Sequence, residues 1–104
     1  MNLKIKEYLE KFNADNGYGT SDKDIIETLL EEEEVYRETL TKHRWWIGIF
    51  VVVDVGGKLI GYDWAETTGD NTAEEAGWEF DPESICEVKT QEVKQIIYKR
   101  IPND

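Results

Sequence analysis

The stretch "RWWIGIFVVVDVGGKLIGYDWAE", residues 44–66, decides the fold. Its first half, through Val55, is almost wholly apolar and rich in aromatic and β-branched side chains, which suits a central strand covered on both faces. Gly56 and Gly57 follow, and two residues that tolerate positive φ between two strand-like runs read as a two-residue hairpin turn. The returning run alternates: Ile60, Tyr62 and Trp64 share one face, while Leu59, Gly61, Asp63 and Ala65 share the other. The aromatic face is expected to meet helices.

Those helices are legible upstream. Ile5, Tyr8, Leu9 and Phe12 recur at i, i+3, i+4 and i+7, which predicts a helix near residues 3–13, and the Asn- and Gly-rich "NADNGYGT" ends it. Ser21 and Asp24 have the spacing of a capping pair. Ile25, Ile26, Leu29 and Leu30 then form the apolar stripe of a second helix over residues 22–34. The "EEEE" at its end opposes the helix dipole and repels itself, so the last turn is expected to fray. Val35, Arg37, Thr39 and Thr41 alternate with Tyr36, Glu38 and Leu40 as in a half-exposed strand.

Downstream, "TTGDNTAEEAG" reads as a loop with one short helical turn, capped at Asn71 or Thr72 and stopped by Gly77. Asp81-Pro82 opens another turn. "ICEV" and "EVKQIIYKRI" are expected to complete the sheet. The whole, residues 1–104, is predicted to be a single α+β domain: two N-terminal helices packed on a mostly antiparallel sheet of about four or five strands.

Composition agrees with one modest core. The chain has 104 residues, 39% hydrophobic and 12% aromatic, too rich in Trp, Tyr and branched aliphatics for a disordered polymer. Lys4, Lys6, Glu7, Glu10 and Lys11 break up the leading residues, so no secretory signal is read there. The longest apolar run, residues 45–53, falls well short of the roughly 20 residues of a membrane helix. A single cysteine, Cys86, forms no internal disulfide and fits a reducing cytoplasm.

Charge is distributed unevenly. Residues 59–88 hold nine acids and no Lys, Arg or His, whereas the remaining residues hold 14 acids and 12 bases; together they give the net charge of -11. So acidic a chain is not expected to bind nucleic acid or an anionic membrane directly. A basic protein is the natural partner. The candidate contact residues are Asp63, Glu66, Asp70, Glu74, Glu75, Glu79, Asp81 and Glu83, with Trp78 as an aromatic anchor among them. A solvated surface that keeps a small protein soluble is the plain alternative, although such surfaces intersperse both signs, as the rest of this chain does.

Catalytic signatures are weak by comparison. His43 and Cys86 have the residue types of a base and nucleophile, but Cys86 falls in the strand-like run "ICEV" and His43 in a turn. "GDNTAEE" offers oxygen ligands for a hard cation without the register of an EF-hand, and no His and Cys cluster suits a transition metal. Paired carboxylates can serve as acid and base, yet none here is singled out by its neighbours. No cofactor or metal is expected. Trp64 reads as core. Trp45 and Trp46 point to opposite faces, which leaves one exposed.

In its size, its acidity and the base-free stretch 59–88, the chain resembles small acidic inhibitors encoded by phages and mobile elements, of the anti-CRISPR and anti-restriction type. It also looks like toxin-immunity proteins. The resemblance is of general character and carries no site residue over. It implies a non-catalytic protein that binds stoichiometrically to a nucleic-acid enzyme and blocks it sterically or by imitating phosphates. A general interaction or immunity module is the second reading, and a small enzyme using the acidic loop the third.

Overall fold

The structure, a computed structural model, describes residues 1–67, 72, 75 and 77–102. Two helices lead, α1 (Leu3–Asp15) and α2 (Asp22–Glu31). Among the described residues four strands follow, β1 (Glu34–Lys42), β2 (Trp46–Val55), β3 (Lys58–Thr67) and the short β4 (Cys86–Glu87), in one antiparallel sheet ordered β1-β2-β3-β4. This is the expected α+β fold with its helices first. No helix among these residues is long and apolar enough to cross a membrane.

Local chemistry starts and stops each helix. The Asn2 side chain accepts from the Ile5 N–H at 2.9 Å and caps α1. At α2, Ser21 and Asp24 form the full reciprocal box, the Asp24 N–H donating to Ser21 Oγ at 3.2 Å and the Ser21 N–H to Asp24 Oδ2 at 3.4 Å. The second helix ends at Glu31, three residues short of the expected boundary. Glu32 is already extended, with φ -70° and ψ 150°. Four adjacent carboxylates at the negative end of the dipole favour leaving the helix over prolonging it, and Glu34 enters β1 instead.

The β2–β3 hairpin turns at Gly56 and Gly57, whose φ angles of 62° and 95° are the left-handed pair that a two-residue turn requires. From Val55↔Lys58 to Trp46↔Thr67 the ladder runs without a slip. Strand alternation then sorts the side chains. Ile49, Val51, Val53 and Val55 of β2, with Ile60 and Tyr62 of β3, pack beneath Ile5 and Leu9 of α1 and Ile25 and Leu29 of α2. Each such burial stabilises by about 1.5–3 kcal/mol relative to exposure. Between the helices the Thr28 hydroxyl donates to Asn13 Oδ1 and Asn13 Nδ2 donates to the Gly19 carbonyl, both at 2.9 Å, so the buried amide is satisfied.

The opposite face of the sheet is open. Val52 is buried there, Trp46 and Phe50 are half-buried and Asp54 is exposed, so β2 is central but only partly covered on its second face. Phe50 lies across Gly61, where a Cβ would collide with its ring and with Val88. Strand β1 is an edge, exposed throughout. Its register slips between Glu34 and Tyr36 and between Thr39 and Thr41, which makes Val35 and Leu40 the extra residues of two bulges.

The expectation that "EVKQIIYKRI" completes the sheet is overturned. Glu87 pairs with Ile60 and the Val88 N–H donates to the Leu59 carbonyl at 2.9 Å. One step further β3 has begun its turn at Lys58, so Lys89 and its successors meet no strand. Residues 89–102 carry no regular structure and are exposed.

Both turn glycines can be tested. Gly57→Ala is expected to cost about 1 kcal/mol for the left-handed backbone. A Cβ on Gly56 would in addition lie 3.1 Å from Phe12 Cδ2 and from the Tyr8 hydroxyl, while one on Gly57 meets nothing. Denaturant unfolding should therefore rank Gly56→Ala below Gly57→Ala, and both below the parent.

Candidate functional site

The acidic candidates fall on two structural features. Asp63 and Glu66 lie on β3, but on opposite faces. Asp63 is paired across the ladder with Phe50 on the open face, and Glu66 with Ile47 on the helix-bearing face. Residues 77–85 return along β3 as a strap that ends in a short 3-10 turn. Gly77, at φ 97°, begins it.

Alternation along the strap separates apolar from acidic. Trp78 and Phe80 turn inward: Trp78 meets Trp64 edge-on with ring centroids 5.2 Å apart, and Phe80 lies 6.0 Å from Trp64 and 6.2 Å from Tyr62. Trp64 packs against the core, as its shared face with Ile60 and Tyr62 implies. Ile85 is buried in that core, and the Asp63 N–H donates to Ser84 Oγ at 3.1 Å. Glu79, Asp81 and Glu83 are exposed. Asp81 also caps the short 3-10 turn Pro82–Ser84, its Oδ1 accepting from the Glu83 N–H at 2.9 Å.

Upstream of the strap, the Thr72 N–H donates to Glu75 Oε2 at 3.3 Å and the Glu75 N–H to Thr72 Oγ1 at 3.2 Å. That is a capping exchange at Thr72, one of the two positions expected, and Glu75 is exposed. Asp70 and Glu74, with Asn71, lie outside the described residues.

A stretch free of bases in sequence is not free of them in space. The Arg37 guanidinium on β1 bridges Glu34 and Glu66. The Met1 ammonium pairs with Glu83 at 3.0 Å, and Lys58 approaches Glu87 at 3.7 Å. Exposed pairs of this kind each contribute no more than about 1 kcal/mol, but they lower the local charge. Asp63, Glu75, Glu79 and Asp81 have no cationic partner within ion-pair distance among the described residues. The Arg37 hydrogen bond also holds the Glu34 carboxyl below its ordinary pKa. That contribution is present at neutral pH and is lost as pH falls through the carboxylate range.

His43 and Cys86 do not meet. His43 sits in the β1–β2 turn, where its N–H donates to the Trp46 carbonyl at 2.8 Å and its ring stacks on Trp46 at 4.6 Å. Cys86 pairs with Gly61, opposite Val52. Six residues of strand separate those levels of the sheet, roughly 20 Å. Trp45 is the exposed member of its pair, with Arg44 4.7 Å above its ring. Among the described residues no group of three His, Cys, Asp or Glu is placed to hold a metal ion.

The sequence reading missed a groove of about 670 Å³ on the open face, lined by Val35, Tyr36, Phe50, Val52, Leu59 and Val88. Its signal was present in the apolar second face of β2, for which the described residues offer no further α-helix. Compared with protein-family models, curated proteins and solved structures, the chain matches none.

Burial first, and the nearby Asp63 carboxylate second, push the Cys86 thiol above its ordinary pKa of 9.0. The alkylation rate of Cys86 is expected to rise with pH through a midpoint above that value. Asp63→Asn should lower the midpoint without restoring the ordinary one, because the larger cause remains. A midpoint at or below 9.0 in the parent would refute this account.

Proposed function

We propose that this protein is a non-catalytic inhibitor that binds a basic, nucleic-acid-binding surface of another protein through its acidic strap, in the manner of small anti-CRISPR and anti-restriction proteins. The observation that carries the reading is the strap itself. Trp78 and Phe80 fix it to Trp64 and Tyr62, so Glu79 and Asp81 project from an ordered backbone about 7 Å apart, two strand residues at roughly 3.3 Å each. Charges held in place lose little conformational freedom on binding. They also stand within one Debye length, about 8 Å at physiological salt, so a partner feels them together.

The ion pairs narrow the set of contact residues. Glu66 and Glu83 already have cationic neighbours and would have to exchange them for a partner's. Glu75, Glu79 and Asp81 have none to give up among the described residues, and they lead the binding surface in this reading. Trp78 supports the strap from behind. The inhibitor acts in the cytoplasm beside its target, where Cys86 stays reduced. Negative charge speeds encounter more than it selects identity, so the partner is defined here by chemistry: a protein with a phosphate-binding groove.

The test compares two sets of three neutralisations. Glu75→Gln, Glu79→Gln and Asp81→Asn together remove three charges, and the amide at position 81 keeps an acceptor for the Glu83 N–H. Glu31→Gln, Glu32→Gln and Glu33→Gln remove three at the end of α2. Association with a target captured from source-cell lysate is measured over a salt series, with and without duplex DNA as competitor. The strap variant is expected to associate about tenfold more slowly, with the α2 variant close to the parent and DNA competing with both. Equal rates for the two variants, or a target that holds DNA and this protein together without mutual weakening, would overturn the reading.

A further inference from the structure

Beyond the acidic strap, the structure leaves two apolar surfaces without a partner. One is the open-face groove over Phe50, Val52 and Leu59. The other is the C-terminal segment, where Val93, Ile96, Ile97, Tyr98 and Ile101 are between 67% and 92% exposed. Such a set of large apolar side chains in one short segment is what an interaction element shows, unlike singly scattered surface residues. The segment also stretches the molecule: its radius of gyration is 18.1 Å and its long axis 68 Å, against about 13 Å expected for a compact chain of 100 residues.

Charge favours bringing the segment to a body that bears such a groove. Residues 89–102 hold four bases, Lys89, Lys94, Lys99 and Arg100, and one acid, Glu92, for a net +3, whereas residues 1–88 hold 8 bases and 21 acids, for a net -13. The basic, apolar segment is therefore attracted to the acidic body that carries the apolar groove. Continuity adds to this, because Lys89, Thr90 and Gln91 already form the groove's rim.

The segment's own groove is a poor destination. Residues 92–102 are exposed and do not line it, and seating them there requires the chain to turn back after Gln91. From 89 to 101 the sequence is "KTQEVKQIIYKRI", with no Gly, Pro, Asn or Asp, the residues that supply tight reversals. A segment that leaves straight from the rim of one groove is suited to enter the same groove of a neighbour.

We propose that two copies of the chain exchange these segments, residues 92–102 of each seating in the open-face groove of the other. The arrangement is two-fold and closed, since each copy gives and receives the same element. It covers Phe50, Val52 and Leu59 and buries Ile96 and Ile97, and it sets each exchanged segment, net +2, against the -13 body of its neighbour. The strap lies on the other face of the sheet, so this inference stands apart from the proposed function.

Sedimentation of the full chain from low to high micromolar concentration should show twice the 12.1 kDa chain mass. Ile96→Asp with Ile97→Asp should give the single-chain mass with unchanged far-ultraviolet circular dichroism, since both side chains are exposed in the single chain. To locate the contact, a nitroxide is attached after Lys99→Cys in a Cys86→Ser background, and this chain is mixed with an isotope-labelled chain free of nitroxide. Amide signals of Val52 and Leu59 in the labelled chain should broaden. A single-chain mass at every concentration would overturn the proposal. So would a dimer that survives the double substitution, or broadening confined to the outer edge of β1.

Discussion

Strand alternation in the β2–β3 ladder governs what every other element can do. With Val53 opposite Ile60 and Val51 opposite Tyr62, one face presents a continuous apolar surface broad enough for two helices. A slip of one residue in β2 would place Asp54 under those helices and turn Val51, Val53 and Val55 to the other face, and a slip in β3 would do the same with Asp63 in place of Tyr62. Gly56 and Gly57 help to prevent the slip by fixing the loop at two residues. Helix α1 guards the same point, since the Tyr8 hydroxyl donates to the Val55 carbonyl and Lys58 sits 4.8 Å above the Tyr8 ring. Register and helix docking are thus one constraint, enforced at the hairpin end.

The strap follows from the same constraint at the other end of the sheet. Strand β3 is longer than the helices can cover, and its helix-bearing face continues with Tyr62 and Trp64. Those rings need a lid. Trp78 and Phe80 provide it, and period-two alternation then directs Glu79 and Asp81 outward. The acidic surface is in this sense the outer side of an aromatic closure. Arg37 on β1 closes the neighbouring corner by reaching Glu66, where a carboxylate beside the aromatic cluster gains a counter-charge.

Much of this was legible in the sequence, and the failures have identifiable causes. The hairpin, both helices, the Ser21 cap, the shared face of Ile60, Tyr62 and Trp64 and the turn at Pro82 all rest on local patterns of period 2 or 3.6, which a single chain displays directly. Ion pairing was not legible, because Arg37 and Glu66 are 29 residues apart and meet only through the β1–β2–β3 register. The last strand failed for a related reason. "EVKQIIYKRI" has the β-branched content of a strand, but a strand needs an edge to pair with, and β3 ends at Lys58 before this segment arrives. Composition describes what a segment favours; register decides whether a partner is there.

The net charge of -11 is the sum of two unlike parts, an acidic body, residues 1–88, at -13 and a basic, apolar C-terminal segment, residues 89–104, at +2. Their placement matters more than the sum. The aromatic closure and its strap occupy the helix-bearing face, while the groove and the departing segment belong to the open face, so a contact on one leaves the other accessible. Two chains joined through their open faces would carry two straps on their outer sides. Under the proposed function, a target with two phosphate-binding grooves, or a pair of targets on one nucleic acid, would then be held at two points, and the second contact would form at the high effective concentration set by the first. Modest charge on each strap would suffice for firm binding, which fits a surface where Glu66 and Glu83 already share their charge with cations of the same chain.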